Sequence, residues 1–242
     1  MQISPIGVVP KKEVGQYRLI HHLSYPKDKS INDHIPDELK TVSYSSIDDV
    51  IEIILNLDPN ATMAKTDIIN AFRIILIHPH DHEILGIKFN GCFYYDQCLP
   101  MGCASSCSIF EEFSCALQCI AHTKGGLTHI VHALDDFVIL RGQNKKVCNQ
   151  NLKKFLKICT TLGVPIKEEK NVYAQTTMTF LGIQLHTIAM EARLPLDKVL
   201  KIKNSLSEMR VRRKVTLREL QSLIGLLNFA CCVVQPGRTG PA

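Results

Sequence analysis

Asp135 and Asp136 stand side by side in His129-Ile-Val-His-Ala-Leu-Asp-Asp-Phe-Val-Ile-Leu140, flanked by two apolar runs. The β-favouring residues on either side predict a hairpin with the carboxylates at its tip. Adjacent anions repel, which raises a pKa or forces them apart unless a cation intervenes. Hard oxygen ligands on a tight turn suit Mg²⁺. An Asp-Asp pair is also an ordinary turn sequence, so a third group is needed before it reads as a site. Asp67 is that candidate, because it closes the strand-like run Ala61-Thr-Met-Ala-Lys-Thr66 and precedes Ile68-Ile-Asn-Ala-Phe72. Three carboxylates at one sheet edge could hold two divalent metals about 3.5–4 Å apart.

The elements around these acids must bring positions 67 and 135 together. Ile3 to Lys12 and Gly15 to Ile20 read as two short strands joined by a charged turn that projects Lys11, Lys12 and Arg18, cations suited to a polyphosphate. Ser30-Ile-Asn-Asp33 and Ser43-Tyr-Ser-Ser46 read as polar connectors. Ser46 then starts a helix over Ile47 to Leu55, with Asp48 and Asp49 in its first turn and Pro59 beyond it. His78-Pro-His-Asp-His82 lacks the spacing of a metal site and reads as a solvated turn. Asn90-Gly91, between Ile84–Phe89 and Cys92–Gln97, is a type I′ hairpin signal.

A long helix follows Leu99 to Ser106, with Ile109, Phe110, Phe113, Ala116, Leu117, Ile120 and Ala121 at helical spacing and Ser108 with Glu111 as its capping box. Gly125-Gly126 breaks it. A second amphipathic helix presents Leu152, Phe155, Leu156, Cys159 and Leu162 on one face, with Gly163 as C-cap. Thr177 to Leu185 reads as a strand pair bent at Gly182. Strand, helix, hairpin, helix, strand is the split βαβ order of ferredoxin-like folds, in which the end of the first strand neighbours the hairpin tip.

Composition sets the wider frame. With 242 residues, 45% hydrophobic and 21% charged, the chain can bury a sizeable core. The net charge of +5 is unevenly spread. Between Arg193 and Arg218 nine Lys/Arg face only Asp197 and Glu208, leaving the remainder slightly acidic. Such a basic C-terminal segment suits a phosphate backbone, or is simply a solvated basic helix. The ten cysteines include no C-x-x-C pair and read as small apolar fillers in a reducing compartment. No signal peptide opens the chain and Leu223 to Val234 is too short to span a bilayer, so an intracellular protein, cytoplasmic or nuclear, with no membrane partner is expected.

In order along the chain, these segments resemble retroelement reverse transcriptases, of the kind found in retrotransposon polyproteins of the tyrosine-recombinase and long-terminal-repeat type. Ser4-Pro-Ile-Gly-Val-Val-Pro-Lys-Lys12 with Tyr17-Arg-Leu-Ile20 resembles the fingers motif. Thr66-Asp-Ile-Ile-Asn-Ala-Phe-Arg73 is similar to motif A, Leu99-Pro-Met-Gly-Cys-Ala-Ser-Ser-Cys-Ser-Ile-Phe110 to motif B, and His132-Ala-Leu-Asp-Asp-Phe137 to motif C. Gly163-Val-Pro with Lys170 resembles motif D, and Phe180-Leu-Gly182 the primer-grip turn. Lys198 to Val234, ending in Gln-Pro-Gly-Arg238, is similar to the stretch after the palm in those elements.

The resemblance implies an α+β right-hand polymerase with a ferredoxin-like palm. Residues 1–60 would form partial fingers, 61–190 the palm and 191–242 a basic helical thumb or connection segment. Asp67, Asp135 and Asp136, with the Ile68 carbonyl, would hold two Mg²⁺, or Mn²⁺ in their place. Lys11, Lys12, Arg18, Phe72, Met101 and Lys170 would contact the deoxyribonucleoside triphosphate, with Phe72 crowding the sugar 2′ carbon. Gly102, Ala133, Leu134, Phe180, Leu181 and Gly182 would contact primer and an RNA or DNA template. The implied activity is RNA-directed DNA polymerisation. Two residues depart from the pattern: Met101 replaces the Gln of retroviral enzymes, and Ala133 stands where the family has Tyr. The chain carries no ribonuclease H, integrase or recombinase region and reads as a fragment or a decayed genomic copy. A non-catalytic nucleic-acid-binding remnant is therefore the rival reading. A viral RNA-dependent RNA polymerase is disfavoured by Phe72, because such an enzyme must admit the 2′-OH.

Overall fold

The computed structural model describes residues 1–11, 15–57 and 59–234. Lys12 and the Gln235–Arg238 segment lie outside the described residues. In chain order the elements are β1 (Ile6–Pro10), β2 (Tyr17–His21), the one-turn helices α1 (Ile31–His34) and α2 (Asp37–Lys40), α3 (Ile47–Asn56) and β3 (Thr62–Asp67). Next come β4 (Gly86–Phe89), β5 (Cys92–Tyr95), α4 (Ser106–Thr123), β6 (Ile130–Ala133), β7 (Asp136–Arg141) and α5 (Lys145–Thr161). The chain closes with β8 (Val172–Gln175), β9 (Thr177–Phe180), β10 (Ile183–His186), β11 (Glu191–Arg193), α6 (Leu196–Arg210) and α7 (Leu217–Ala230).

Four of these strands form one sheet in the order β6-β7-β3-β8. Read as β3-α4-β6-β7-α5-β8, the connections are those of the expected split βαβ unit, with β3 between the hairpin and the last strand. The fourth strand differs from the expectation. It is β8, Val-Tyr-Ala-Gln, while Thr177 onward belongs to a separate three-stranded sheet ordered β11-β10-β9. Four residues, none of them fully buried and with no strong alternation, carry little periodic signal, so only pairing identifies β8 as palm.

By packing, the chain divides into two compact units, each built from discontinuous segments. The first comprises 1–45, 64–139 and 149–172; the second comprises 46–63, 140–148 and the chain from Tyr173 on. In the first unit, the core is made by Phe110 and Leu117 of α4, Ile130 and Val131 of β6, Phe137 and Val138 of β7, and Leu152 and Phe155 of α5, all 5% exposed or less. In the second, Ile54, Met63, Leu140, Met178, Phe180, Ile183 and Leu185 are buried. No helix among the described residues is long and apolar enough to cross a membrane.

Local chemistry explains most boundaries. Ser46 accepts from the Asp49 N–H while the Asp49 carboxylate takes the Ser46 N–H, a reciprocal cap at the start of α3. The same device at Thr216 and Glu219 opens α7. Ser30 and Asp33 form a third such cap, so the expected connector is the one-turn helix α1. Asn90 and Gly91 both take positive φ, as a two-residue type I′ loop between β4 and β5 requires. His78-Pro-His-Asp-His82 folds as a solvated 3₁₀ turn, with the His78 ring accepting from the His80 N–H.

Two expectations about α4 are corrected. The helix begins at Ser106, so Ser108 lies inside it, and its hydroxyl donates to the Leu39 and Ser105 carbonyls rather than capping. The buried face also carries Glu111 and Ser114, while Ile109 is exposed. The cysteines are divided too. Cys148 and Cys159 are buried fillers, whereas Cys92, Cys115, Cys119 and Cys232 are exposed thiols.

Candidate active site

The acids meet where the sheet order places them. The Ile68 N–H, just past the end of β3, donates to the Asp135 carbonyl at 3.0 Å, which ties that strand end to the turn between β6 and β7. Leu134 in that turn has φ +53°, a left-handed conformation uncommon for a branched residue. Two buried side chains of α4 hold it. The Ser114 hydroxyl donates to the Leu134 carbonyl at 2.8 Å, and the Glu111 carboxylate accepts from the Leu134 N–H at 3.2 Å. Residues chosen by apolar spacing missed both, although a Glu and a Ser on an otherwise greasy helix face were visible as exceptions.

Burial and mutual repulsion govern the carboxylates. Asp135 is pushed up to about 6, first by burial and then by the charge of Asp67, to which it also hydrogen-bonds. Burial likewise raises Asp136, and the Lys65 ammonium at 2.6 Å holds that rise back. The other oxygen of Asp136, Oδ1, is buried with no hydrogen-bond partner. Lys170 pairs with Asp67, and that contact lifts the lysine above its ordinary range. Lys65, one turn of strand before Asp67, was not singled out from sequence.

Asp67, Asp135 and Lys170 line a cleft of about 910 Å³ together with Lys11, Arg18, Ile68 and Met101, whereas Asp136 and Lys65 lie behind its lining residues. The β1–β2 hairpin lines it too, through Pro10, Tyr17, Arg18 and Leu19. Its register, Val9↔Arg18 and Pro10↔Tyr17, places Arg18 and Lys11 at the cleft end of that ribbon. Asp96 also lines the cleft, paired with Arg73 at 2.6 Å. A clustered, half-buried set of hard oxygen donors with one orphaned oxygen fits a divalent cation of the Mg²⁺ type. The cations that share the cleft fit an oligophosphate.

The remaining predicted residues are distributed as follows. Phe72 is half-buried and meets the buried Phe110 ring edge-on at 5.5 Å; its neighbours Ala71 and Arg73, rather than Phe72 itself, line the cleft. Gly102 has φ +120°, and a Cβ there would lie 1.9 Å from the His21 carbonyl oxygen. That close approach lets the His21 N–H reach the Met101 carbonyl at 2.8 Å, docking the Met101 loop on β2. Asn32 completes the docking by donating to the Gly102 carbonyl and accepting from the Ala104 N–H, both at 2.9 Å. Ala133 ends β6, paired with Asp136. Phe180, Leu181 and Gly182 belong to the second unit, at the β9–β10 turn. There the Phe180 side chain is only 1% exposed, and Leu181 and Gly182 both take positive φ.

Residues 9–185 match the family described as reverse transcriptase (RNA-dependent DNA polymerase). The chain belongs to that family. Its fold is similar to solved foamy viral protease-reverse transcriptases. One, in complex with double-stranded DNA, superposes with a TM-score of 0.73 at 23% identity, covering 94% of this chain and 36% of that one. Another, with an RNA/DNA hybrid, gives 0.70 at 21% identity, covering 97% and 29%. The native enzyme of prototype foamy virus gives 0.60 at 18% identity, covering 95% and 30%. The chain thus spans about a third of the length of these proteins. No curated protein matches it by sequence.

Proposed function

We propose that this reverse transcriptase domain is a retrotransposon's RNA-directed DNA polymerase. It would extend a primer on an RNA or DNA template from deoxyribonucleoside triphosphates, inside the cell. The observation that carries the reading is the cleft itself, which Asp67 and Asp135 line together with Lys11 and Arg18. Asp67, Asp135 and Asp136, with the Ile68 carbonyl, would hold two Mg²⁺, or Mn²⁺ in their place. When bound, such metals lower the pKa of a primer 3′-OH and neutralise a leaving pyrophosphate.

The chain's own residues do the rest. Arg18 offers a planar fork to the triphosphate and Lys11 a point charge, with Lys12 expected beside it. Lys65 and Lys170 hold Asp136 and Asp67 while no metal neutralises them, and Lys170 is free to turn to phosphate once one does. The Met101 loop, docked on β2, provides a fixed floor for the nucleotide. Phe72, steadied by Phe110, is the candidate to crowd the sugar 2′ position. Gly102, Ala133 and Leu134 would lie along the primer and template, with Leu181 and Gly182 contributing a second contact and Phe180 anchoring their turn. The solved relatives named with double-stranded DNA and with an RNA/DNA hybrid support nucleic acid as partner. The basic segment that includes α6 would grip the phosphate backbone, an attraction that weakens steeply with salt. The retrotransposon assignment rests on the resemblance of the segment after the palm.

Primer extension on poly(rA)/oligo(dT), with Mg²⁺ or Mn²⁺ and Asp135→Asn as control, is the direct test. Metal-dependent extension lost in the variant supports the proposal. Salt-sensitive binding of primer–template with no extension under either metal favours the non-catalytic remnant, the reading for which Ala133 speaks.

A further inference from the structure

Behind the catalytic turn lies a second cluster that the polymerase chemistry does not use. Glu111 and Cys115 are four residues apart on α4 and so share one face. Opposite them on β6 is His132. The His132 Nε2 atom is 3.1 Å from Glu111 Oε1 and 3.7 Å from Cys115 Sγ, and all three candidate ligand atoms lie within 4.8 Å of one another. We propose that Glu111, Cys115 and His132 form a binding site for Zn²⁺ or a similar borderline-soft divalent cation, one that braces the hairpin carrying Asp135 and Asp136.

The geometry supports a tetrahedral ion. With Zn–N and Zn–O near 2.0–2.1 Å and Zn–S near 2.3 Å, neighbouring ligand atoms should be separated by about 3.3 Å for N and O and about 3.6 Å for N and S. The N–O separation of 3.1 Å falls just short of its value and the N–S separation of 3.7 Å just beyond its own, while the carboxylate oxygen and the sulfur lie within 4.8 Å of each other. The ring is also prepared for the task. Gln118 Oε1 lies within hydrogen-bonding distance of His132 Nδ1, so an Nδ1–H donated to it leaves the Nε2 lone pair directed at Glu111 and Cys115. Phe137 stacks on the imidazole at 5.2 Å and fixes its plane. An unprotonated nitrogen, a carboxylate oxygen and a sulfur then converge on one point, an arrangement that a cation relieves.

Charge and access agree. A glutamate, a thiolate and a neutral imidazole bring two negative charges, which a divalent ion cancels in a setting where Glu111 and His132 are both under 10% exposed. Cys115 is exposed, so the ion has a path from solvent. Cysteine binds a metal as thiolate, so binding displaces the sulfur's proton for each ion taken up, and a fourth position is left for water. The consequence reaches the active site through Glu111, whose other oxygen holds the Leu134 N–H. One carboxylate would bridge the zinc site and the catalytic turn. This inference stands whether or not the chain polymerises.

The test uses the full chain, stripped of metal by a chelator and then titrated with Zn²⁺ against a chromogenic indicator, with excess Mg²⁺ present to fill oxygen-only sites. One zinc per chain is expected. Co²⁺ in its place should show tetrahedral ligand-field bands and a thiolate-to-cobalt charge-transfer band. Cys115→Ser, at an exposed position, should retain the fold, lose that band and weaken zinc at least tenfold. Cys119→Ser, one turn further along α4, should change neither. Gln118→Leu should weaken zinc by about 10–100-fold through the orientation of His132. Absence of stoichiometric zinc in the unmodified chain, or a charge-transfer band that survives Cys115→Ser, would overturn the proposal and leave the three residues a hydrogen-bonded triad only.

Discussion

Asp135→Asn should stabilise the metal-free protein at neutral pH while abolishing polymerase activity. In the fold Asp135 titrates near 6 rather than 3.8, because burial and the charge of Asp67 oppose its ionisation. The sign follows from linkage. Below about pH 4 the carboxyl is protonated in both states and contributes nothing. Between 4 and 6 the unfolded chain ionises while the folded one does not, so stability falls as pH rises. Above 6 the penalty is constant, and the gap between 3.8 and 6 corresponds to about 3 kcal/mol. Relaxation of the site reduces what is realised, so about 1–3 kcal/mol is the expected gain from a neutral amide. For a chain of this size that is on the order of 2–10 °C in thermal midpoint. The assay is a set of thermal melts of both proteins in chelator from pH 4 to 8. The gain should be full at pH 7.5 and absent at pH 4. Saturating Mg²⁺ should narrow it, because the ion stabilises only the aspartate form by mass action. An asparagine variant less stable than its parent at pH 7.5 would refute the electrostatic account and make Asp135 a structural residue.

Three further outcomes are expected. Phe72→Ala should raise ribonucleotide incorporation relative to deoxyribonucleotide in single-nucleotide extension; unchanged selectivity would assign the ring wholly to the core around Phe110. Ala133→Tyr should raise the single-turnover extension rate more than it changes primer–template affinity at one fixed salt concentration, because misplacement near 1 Å can slow a reaction about 100-fold. A natural chain that the tyrosine does not improve would mean that another side chain already aligns the primer end. Gly102→Ala should lower stability by more than about 2 kcal/mol, since φ is positive and the new methyl would overlap the His21 carbonyl; a melt within 1 °C of the parent would show that the Met101 loop moves freely.

The sequence by itself determined the order strand, helix, hairpin, helix up to α5, though not the last palm strand, β8, and singled out three carboxylates along it. Local rules suffice for these. Asn90-Gly91 turns a hairpin because both residues accept positive φ, Ser46 caps a helix through the side chain three residues ahead, and Asp67 and Asp135 follow from a strand end and a hairpin tip in a known βαβ order. Tertiary structure decided the partners of those acids. Lys65 on Asp136, Lys170 on Asp67, and Glu111 and Ser114 on the Leu134 turn are contacts across 20 to 103 residues or between strands. Periodicity could not find Glu111 or Ser114, since it ranks positions by apolarity, and these are polar groups buried because a strained turn needs a donor and an acceptor there. The same blindness hid His132 and Cys115, whose meaning lies in the distance between a helix and the strand it covers. Spacing along one element sets which residues share a face. What that face meets is fixed only when the sheet closes and each buried polar atom has to find a partner from another part of the chain.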